Sequence, residues 1–434
     1  MSKKIYEKSL GYSSLRWWTD AFIRGSYRRV RFLGMDRIPT DGAVIYAPNH
    51  CDALMDPLAV LAMSRRRKVF VARADVFRNP KVARILNFFK IMPINRRRDG
   101  LMNMHKAEET IEKSIEVLAN GCHFCIMPEG THRPMHALLP IGKGVARIAL
   151  GTYRATGGDR PIYIVPVGLE YGDYFRFRGT LLAQIGEPID ATAYISAHPE
   201  LNDHDLMQGL RALLTEKLAE TITCVRDEEN YEAIWELTKV SSGKIPALRM
   251  KKRLEANRDA IARIEKFGAE QPEAASELYR EALEFRDIRR KSRISLNSLG
   301  KKRPVPAALW NTLLCLVTLP LFAVLAIASL PVWWVAETLA GRIKDLAFRN
   351  TARMGTSLIL WTLLYIIEVV LLFCFLRWYW ALAAALVLLP APMFTYDFFE
   401  MWRMTASHWR VASGRNKAVR EQYHHLKSKI DNLK

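Results

Sequence analysis

Short apolar runs alternate with amphipathic stretches between residues 39 and 195. Apolar runs bounded by Pro, Gly, Asn or Asp are typical of buried strands, and longer stretches with apolar residues three or four positions apart are typical of helices. The predicted strands cover residues 43–47, 68–72, 90–93, 123–127, 162–167 and 180–185. The predicted helices cover residues 58–64, 80–89, 104–119 and 143–152. This alternation predicts an α/β domain over residues 39–195.

After this domain the pattern changes twice. Residues 196–303 carry many charges of both signs and have little strand character, which predicts a charged helical region. From residue 304 the chain is largely apolar, and residues 357–376 and 378–396 form two runs of membrane-spanning length. The sequence therefore predicts C-terminal transmembrane helices, in a membrane domain over residues 304–402.

Basic residues flank these apolar segments and predict their orientation. Such residues prefer the cytoplasmic side, which makes 357–396 a hairpin with Arg377 on the opposite side and 403–434 a basic cytoplasmic tail. Residues 304–336 then enter and leave on one side, and about 33 residues are too few for two full spans. We therefore expect 304–336 to be a re-entrant or interfacial pair broken near Pro320, with one spanning segment as the alternative.

The first 38 residues mix aromatic and cationic side chains, including Trp17, Trp18 and Phe22. Aromatic rings beside cations favour interfacial amphipathic helices that anchor the chain on anionic lipid. The alternative is an ordinary amphipathic helix that packs on the protein. No apolar run follows Lys3 and Lys4, so a cleavable signal peptide is not expected.

The net charge of +20 and the pI of about 9.8 indicate anionic partners. Because no zinc-finger or RNA-binding signature is present, a membrane surface or a phosphorylated substrate is expected rather than nucleic acid. The six cysteines form no disulfide framework, which is typical of a reducing compartment. Cys122 and Cys125 have half of a zinc-site spacing, but no second pair matches it and no metal is expected.

Candidate chemistry begins where the first predicted strand ends. His50 lies in the following loop, and Asp56, just before Pro57, is predicted to cap the next helix. Loops between strands and helices often carry the functional groups of α/β folds. A histidine can take a proton from a hydroxyl, and a carboxylate (Asp56, or alternatively Asp52) can fix its tautomer. The competing interpretation is that Asp56 only caps a helix and His50 is an ordinary loop histidine.

Other predicted strands also end in motifs with chemical potential. Arg96 and Arg97 follow the strand 90–93, and guanidinium groups suit phosphate. Glu129 follows the strand 123–127 in a glycine-bearing turn. The strand 162–167 ends in a Val-Pro-Val-Gly motif.

The order of these motifs resembles the glycerolipid acyltransferase family, whose enzymes esterify glycerol 3-phosphate or its monoacyl product. The matching motifs are Asn49-His50 with Asp56, Pro93-Ile94-Asn95-Arg96, Pro128-Glu129-Gly130-Thr131 and Val165-Pro166-Val167. The resemblance covers residues 30–190 and departs at two points. Five residues separate His50 from Asp56, where the family most often has four, and His132 stands where the family often has arginine.

The resemblance implies a mixed sheet flanked by helices and a membrane-bound O-acyltransferase of phospholipid synthesis. His50, oriented by Asp56, would remove the proton from an acceptor hydroxyl that attacks acyl-CoA or an acyl carrier protein thioester. No cofactor is implied. The substrate-binding residues that it implies are Asn49, Arg96, Arg97, Glu129, Gly130, Thr131 and Lys143.

The favoured acceptor is 1-acylglycerol 3-phosphate. The wide His50–Asp56 spacing is similar to that of fungal-type glycerol-3-phosphate acyltransferases, so glycerol 3-phosphate is the alternative acceptor, and a lipid-binding membrane protein without catalysis is a third interpretation. The expected partners are lipid and phosphorylated glycerol substrates, an anionic membrane surface and acyl carrier protein. The expected location is a bacterial inner membrane or an endoplasmic-reticulum-type membrane, with the catalytic domain on the cytoplasmic face.

Overall fold

The computed structural model describes residues 4–7, 9–94, 104–174 and 176–433. The chain divides into two compact units. The first contains Met1–Arg24, Arg29–Tyr174 and Leu181–Ile222, and the second contains Gly25–Arg28, Phe175–Thr180 and Thr223–Lys434. The domain boundaries suggested by the sequence stay predictions.

The elements before residue 223 alternate between strands and helices. The described strands are β1 (Tyr27–Leu33), β2 (Ala43–Pro48), β3 (Lys68–Arg73), β4 (Ile91–Ile94), β5 (His123–Cys125), β6 (Ile162–Tyr171), β7 (Gly179–Ile185) and β8 (Ile189–Asp190). The helices are α1 (Leu10–Ser26), α2 (Met55–Met63), α3 (Pro80–Phe88), α4 (Met104–Ala119), α5 (Gly144–Ala155), α6 (Ala191–Ala197) and α7 (Asp203–Ala219).

The eight described strands form one mixed sheet in the order β1-β7-β6-β2-β5-β3-β4, with β8 beside β6. The strands from β6 to β4 in this order are mutually parallel, whereas β7 and β8 run antiparallel to β6. Ile45, Phe124 and Ile164 are fully buried in the core, together with apolar residues of α5 and α7. The predicted α/β class, a mixed sheet flanked by helices, is confirmed.

The carboxyl end of β2 is the point from which the candidate site is built. β2 is buried along its whole length, as expected for a central parallel strand covered on both faces. Its last residue, Pro48, pairs with Val167 of β6, and β6 continues to Tyr171. β6 therefore extends past β2 and runs beside the loop that begins at Asn49.

β1 and β8 are not among the predicted strands. β1 carries three arginines in seven residues, and it lies at one edge of the sheet. Charged side chains are common on edge strands because they discourage pairing with other chains. The same charges make the segment resemble part of an interfacial helix in the sequence.

Helices make up most of the described part of the second unit. They are α8 (Tyr231–Ser242), α9 (Met250–Glu270), α10 (Pro272–Lys291), α11 (Leu296–Leu299), α12 (Pro304–Arg342), α13 (Ala347–Phe375), α14 (Trp378–Leu388), α15 (Ala391–Ala412) and α16 (Lys417–Asp431). Glu236 of α8 is fully buried and pairs with Lys239 at 2.5 Å and Arg289 at 2.8 Å. Pairing of this kind is what a buried carboxylate requires. The predicted helical region is confirmed.

The apolar segment after residue 303 is one continuous helix, α12, that passes through both Pro320 and Pro331. The predicted break near Pro320 is therefore wrong. Proline removes one backbone donor, but apolar helices tolerate it when nearby hydroxyls and neighbouring helices satisfy backbone groups. Two residues after Pro320, the ring of Phe322 stacks on that of Phe398 in the neighbouring helix α15, with centroids 3.9 Å apart. At 39 residues, α12 is about 58 Å long.

Two of these helices, α12 and α13, are long and apolar enough to cross a membrane. The predicted span 378–396 corresponds to α14 and the start of α15, which are bent by 46° at the break between them. If this bent pair counts as one span, the described residues hold up to three candidates. The predicted C-terminal transmembrane helices thus have the required length and composition.

Candidate active site

His50 and Asp56 form a direct pair at the carboxyl end of β2. His50 Nδ1 lies 2.8 Å from Asp56 Oδ2, and this contact leaves the other ring nitrogen, Nε2, for a substrate. The His50 side chain is 16% exposed, whereas Asp56 is fully buried. The imidazole can therefore reach a bound molecule, while the carboxylate is kept from solvent.

Asp56 does not cap α2, contrary to the sequence prediction. It is the second residue of the helix, and the position before the helix is held by Leu54. Its Oδ2 atom instead accepts hydrogen bonds from Cys51 N at 2.7 Å and Asp52 N at 2.8 Å. The carboxylate thus fixes the loop that carries His50, and the carboxylate beside His50 is Asp56 rather than Asp52.

The loop between His50 and Asp56 contains a tight turn. Met55 N donates to Asp52 O at 2.8 Å, and Ala53 has a φ of +40°. Residues other than glycine rarely adopt a positive φ, so the backbone at Ala53 is strained. This turn accommodates the five intervening residues and brings Asp56 back to the imidazole.

Glu129 joins the site from the turn after β5. Its Oε1 atom accepts from His50 N at 2.6 Å, and Oε2 accepts from Leu139 N at 2.9 Å. Burial raises the pKa of Glu129 to about 7, although these two hydrogen bonds act in the opposite direction. Glu129 therefore holds the His50 backbone in place and changes protonation near neutral pH.

Asn49 joins the loop to β6. Its side-chain amide donates to Leu169 O at 3.2 Å, and its Oδ1 atom accepts from Leu169 N at 2.6 Å. Since Asn49 N also donates to Val167 O at 3.3 Å, the residue before His50 continues the strand pairing through its side chain. This geometry gives Asn49 a structural link to His50; its predicted contact with substrate stays a prediction.

The other predicted substrate-binding residues differ in their placement. Gly130 adopts a φ of +66° in a turn where Gly130 N donates to Met127 O at 3.1 Å, and Thr131 follows it. Lys143 is exposed just before α5, next to Gly142, whose N donates to Pro128 O at 2.8 Å. Arg96 and Arg97 lie outside the described residues.

Three further contacts were not predicted, of which two lie beside the pair and one joins His136 to Tyr174. The Tyr171 hydroxyl donates to Asp56 Oδ1 at 2.7 Å. The ring of His132 meets that of His50 edge to face, with centroids 5.4 Å apart. His136 Nδ1 lies 3.1 Å from the Tyr174 hydroxyl. Tyr171 follows the Val-Pro-Val-Gly motif by three positions, and only the length of β6 could have pointed to it.

Metal-ligating clusters are not found in the part of the chain that the structure describes. Cys122 and Cys125 are both buried, and burial raises the pKa of each thiol. A raised thiol pKa disfavours the thiolate that zinc requires. The side chains that the structure brings together after β2 are instead His50 and Asp56, and an imidazole held by a carboxylate can take part in proton transfer.

The part of the chain that carries the site is similar to known proteins. Residues 29–170 match the family model described as Acyltransferase. Glycerol-3-phosphate O-acyltransferase 1 of Saccharomyces cerevisiae is 30% identical over 123 residues, which cover 28% of this chain and 16% of the yeast protein. The match thus spans about a sixth of the length of that curated relative.

One of the solved structures that match is also an acyltransferase. It is the 1-acyl-sn-glycerophosphate acyltransferase PlsC from Thermotoga maritima, at 23% identity over 47% of this chain and 78% of that chain, with a TM-score of 0.34. The family match contains the whole stretch from Asn49 to Glu129. Residues 29–170, which hold His50, Asp56 and Glu129, are therefore similar in sequence to acyltransferases.

Proposed function

We propose that this protein transfers a fatty acyl group from a thioester, either acyl-CoA or acyl carrier protein, to the free hydroxyl of 1-acylglycerol 3-phosphate. The observation that carries the proposal is the His50–Asp56 pair, because its buried carboxylate orients a partly exposed imidazole. Orientation by a carboxylate is what a general base acting on a hydroxyl needs.

In the proposed reaction, His50 Nε2 takes the proton of the acceptor hydroxyl. The hydroxyl oxygen attacks the thioester carbonyl carbon, the carbon–sulfur bond breaks, and the leaving thiolate takes the proton from the imidazolium. Asp56 stabilises that imidazolium through the 2.8 Å contact with Nδ1. The products are an ester and a free thiol, with no covalent bond to the enzyme.

The remaining predicted residues would position the acceptor. Glu129 holds the His50 backbone, and the Gly130–Thr131 turn beside it would form part of the acceptor site. Arg96 and Arg97 are proposed to bind the acceptor phosphate, since guanidinium forks match phosphate oxygens. Lys143 is proposed as a further phosphate contact.

Glycerol 3-phosphate is the second candidate acceptor. The five residues between His50 and Asp56, together with the similarity to a protein named glycerol-3-phosphate O-acyltransferase 1, favour it. An assay of the purified protein in detergent distinguishes the two acceptors. It measures thiol release from acyl-CoA and from acyl carrier protein in the presence of each acceptor. Greater release with 1-acylglycerol 3-phosphate supports the first proposal, and greater release with glycerol 3-phosphate supports the second. If neither acceptor promotes release, or if His50→Ala keeps full activity, the mechanism fails and a lipid-binding role without catalysis is favoured.

We also propose that the enzyme works at an anionic membrane surface, with its catalytic domain on the cytoplasmic face. In α1, Leu10 is 90% exposed and Trp17 is 68% exposed, and such side chains suit the interface of a bilayer. α12 and α13 supply candidate spans. Reconstitution of the protein and of Trp17→Ser into vesicles with and without anionic lipid, with acyl transfer as the readout, tests the interfacial role. Equal activity of both proteins in both vesicles would contradict it.

A further inference from the structure

Arg16 is a buried cation of α1 that belongs to none of the family motifs. Its side chain is only 7% exposed. Nη2 donates to Leu61 O at 2.6 Å and to Ser64 O at 2.5 Å, and Nη1 donates to Arg65 O at 3.2 Å. These carbonyls lie in the last turn of α2 and in the two residues after it, so Arg16 holds the C-terminal end of that helix.

Both charge and hydrogen bonding make this contact strong. The last carbonyls of a helix have no partner inside the helix, and they carry the negative end of its dipole. A guanidinium presents several donors in one plane and can satisfy more than one carbonyl. Asp20 Oδ2, 3.7 Å from Arg16 Nε, partly balances the buried charge. The end of α2 is thus fixed by a side chain that has little freedom to move.

α2 connects this contact to Asp56. The helix has nine residues and is about 13 Å long, which is short enough to move as a rigid body. Asp56 is its second residue, so a shift of α2 changes the 2.8 Å contact between Asp56 and His50. A misplacement of about 1 Å at a catalytic contact can lower a rate about 100-fold.

We propose that Arg16 is a positioning residue of the acyltransferase site, which holds α2 where Asp56 orients His50. This inference rests on the proposed function. It differs from a simple fastening role, in which Arg16 would only keep the N-terminal segment attached to the domain.

Lys90 provides a matched control for that fastening role. It is also a buried cation that bonds to backbone carbonyls, with Nζ donating to Ile5 O at 2.6 Å and Glu7 O at 2.7 Å. Its Nζ also lies 5.4 Å from the ring centroid of Tyr12 in α1. Lys90 therefore fastens the same part of the chain, but its hydrogen bonds go to the segment before α1 rather than to α2.

The test compares Arg16→Met, Arg16→Lys and Lys90→Met in the full-length protein in detergent, with thiol release as the assay. We expect Arg16→Met to lower kcat about tenfold with an acceptor KM within about twofold of the wild type. Arg16→Lys should recover part of kcat. Lys90→Met should keep kcat, even with a lower Tm.

The proposal is overturned if Arg16→Met keeps the wild-type kcat, or if Lys90→Met lowers kcat as much as Arg16→Met does. Hydrogen exchange gives a readout that does not need activity, since the amides of Cys51 and Asp52 donate to Asp56. They should exchange faster in Arg16→Met than in Lys90→Met. If the wild type transfers no acyl group, the proposed function fails, and this exchange comparison alone decides the positioning role. If Arg16→Met does not fold, Arg16→Lys undergoes the same measurements.

Discussion

The two ends of α2 are held by opposite charges. At its N-terminal end, the Asp56 carboxylate accepts from two loop amides and from Tyr171, and it contacts His50. At its C-terminal end, Arg16 and Lys68 donate to backbone carbonyls, including that of Ser64. Both arrangements match the helix dipole, which favours anions at the first turn and cations at the last.

The difference between these ends lies in what they contact. The anionic end touches the imidazole that we propose as the base, so changes there should act on the reaction itself. The cationic end is remote from that imidazole and acts through the helix and through stability. Substitutions of the side chains around the two ends of α2 can therefore separate catalytic effects from structural ones.

The largest effect is expected for Asp56→Asn. The amide is nearly the same size, but it carries no charge to stabilise an imidazolium and can donate where the carboxylate only accepts. We expect kcat to fall about 10³-fold, within the range typical of lost acid–base catalysis. Thiol release with the preferred acceptor measures this loss. Asp75→Asn, at an exposed carboxylate paired with Arg73, is the matched control and should keep full activity. Near-normal activity of Asp56→Asn would remove the basis of the mechanism.

Glu129→Gln should have the next largest effect. An amide cannot accept from both His50 N and Leu139 N, so one of these backbone donors loses its partner and the His50 loop shifts. We expect kcat to fall roughly 10- to 100-fold, as for a catalytic group that is misplaced by less than 1 Å. Thiol release at the pH optimum of each protein measures the change.

The pH dependence of Glu129 makes that comparison sharper. Burial raises the pKa of Glu129 from 4.5 to about 7. Between these two pH values the carboxyl group holds a proton in the folded protein but has lost it in the unfolded chain. Stability from this group should therefore increase as the pH falls through that window, while activity decreases because a protonated carboxyl is a poorer acceptor. Glu129→Gln should lack both trends relative to the wild type. Parallel pH profiles of the two proteins would contradict this role.

Tyr171→Phe tests a smaller contribution at the same end of α2. The change removes one hydrogen bond to Asp56 and leaves the contacts with His50, Cys51 and Asp52. Because one such bond contributes about 1 kcal/mol, we expect kcat to fall about fivefold. Tyr174→Phe removes a hydroxyl that lies beside His136 rather than Asp56, and it should leave kcat within about twofold of the wild type. Equal losses in the two variants would argue against a specific role for Tyr171.

How far the sequence could predict these features depends on the distance between partners along the chain. His50 and Asp56 are six positions apart, so their spacing alone suggested a pair. Tyr171 is 115 positions from Asp56, and Arg16 is 48 positions from Ser64. These contacts depend on sheet register and helix packing, which no local pattern encodes. The α/β class, in contrast, was predictable, because the alternation of apolar runs that indicates it is a local pattern.

The two predictions that were wrong also concern contacts between residues that a local pattern does not show. The break predicted at Pro320 came from a local property of proline, but α12 continues through Pro320 and packs on α15 through Phe322 and Phe398. Likewise, the capping role predicted for Asp56 came from the Asp-Pro pair, but its carboxylate turns back to the Cys51 and Asp52 amides. In both cases a contact made in the fold outweighed a preference of the isolated segment.

Lys68→Met should have the smallest effect on activity, because Lys68 donates to Ser64 and Arg66 beyond the last residue of α2. Arg16, in contrast, also donates to Leu61 inside the helix. Burial, with the charge of Arg16 as the next cause, lowers the Lys68 pKa to about 7. Between about pH 7 and pH 10.5 the Lys68 amine is therefore protonated in the unfolded chain and largely neutral in the folded protein. The contribution of Lys68 to the free energy of unfolding then rises with pH across this range and is lowest at and below pH 7. The methionine variant lacks this dependence. We expect the Tm of the wild type, relative to that of Lys68→Met, to rise by a few degrees between pH 7 and pH 9.5. A constant Tm difference across that range would mean that the hydrogen bonds of Lys68 to Ser64 and Arg66 keep its ammonium charged in the fold.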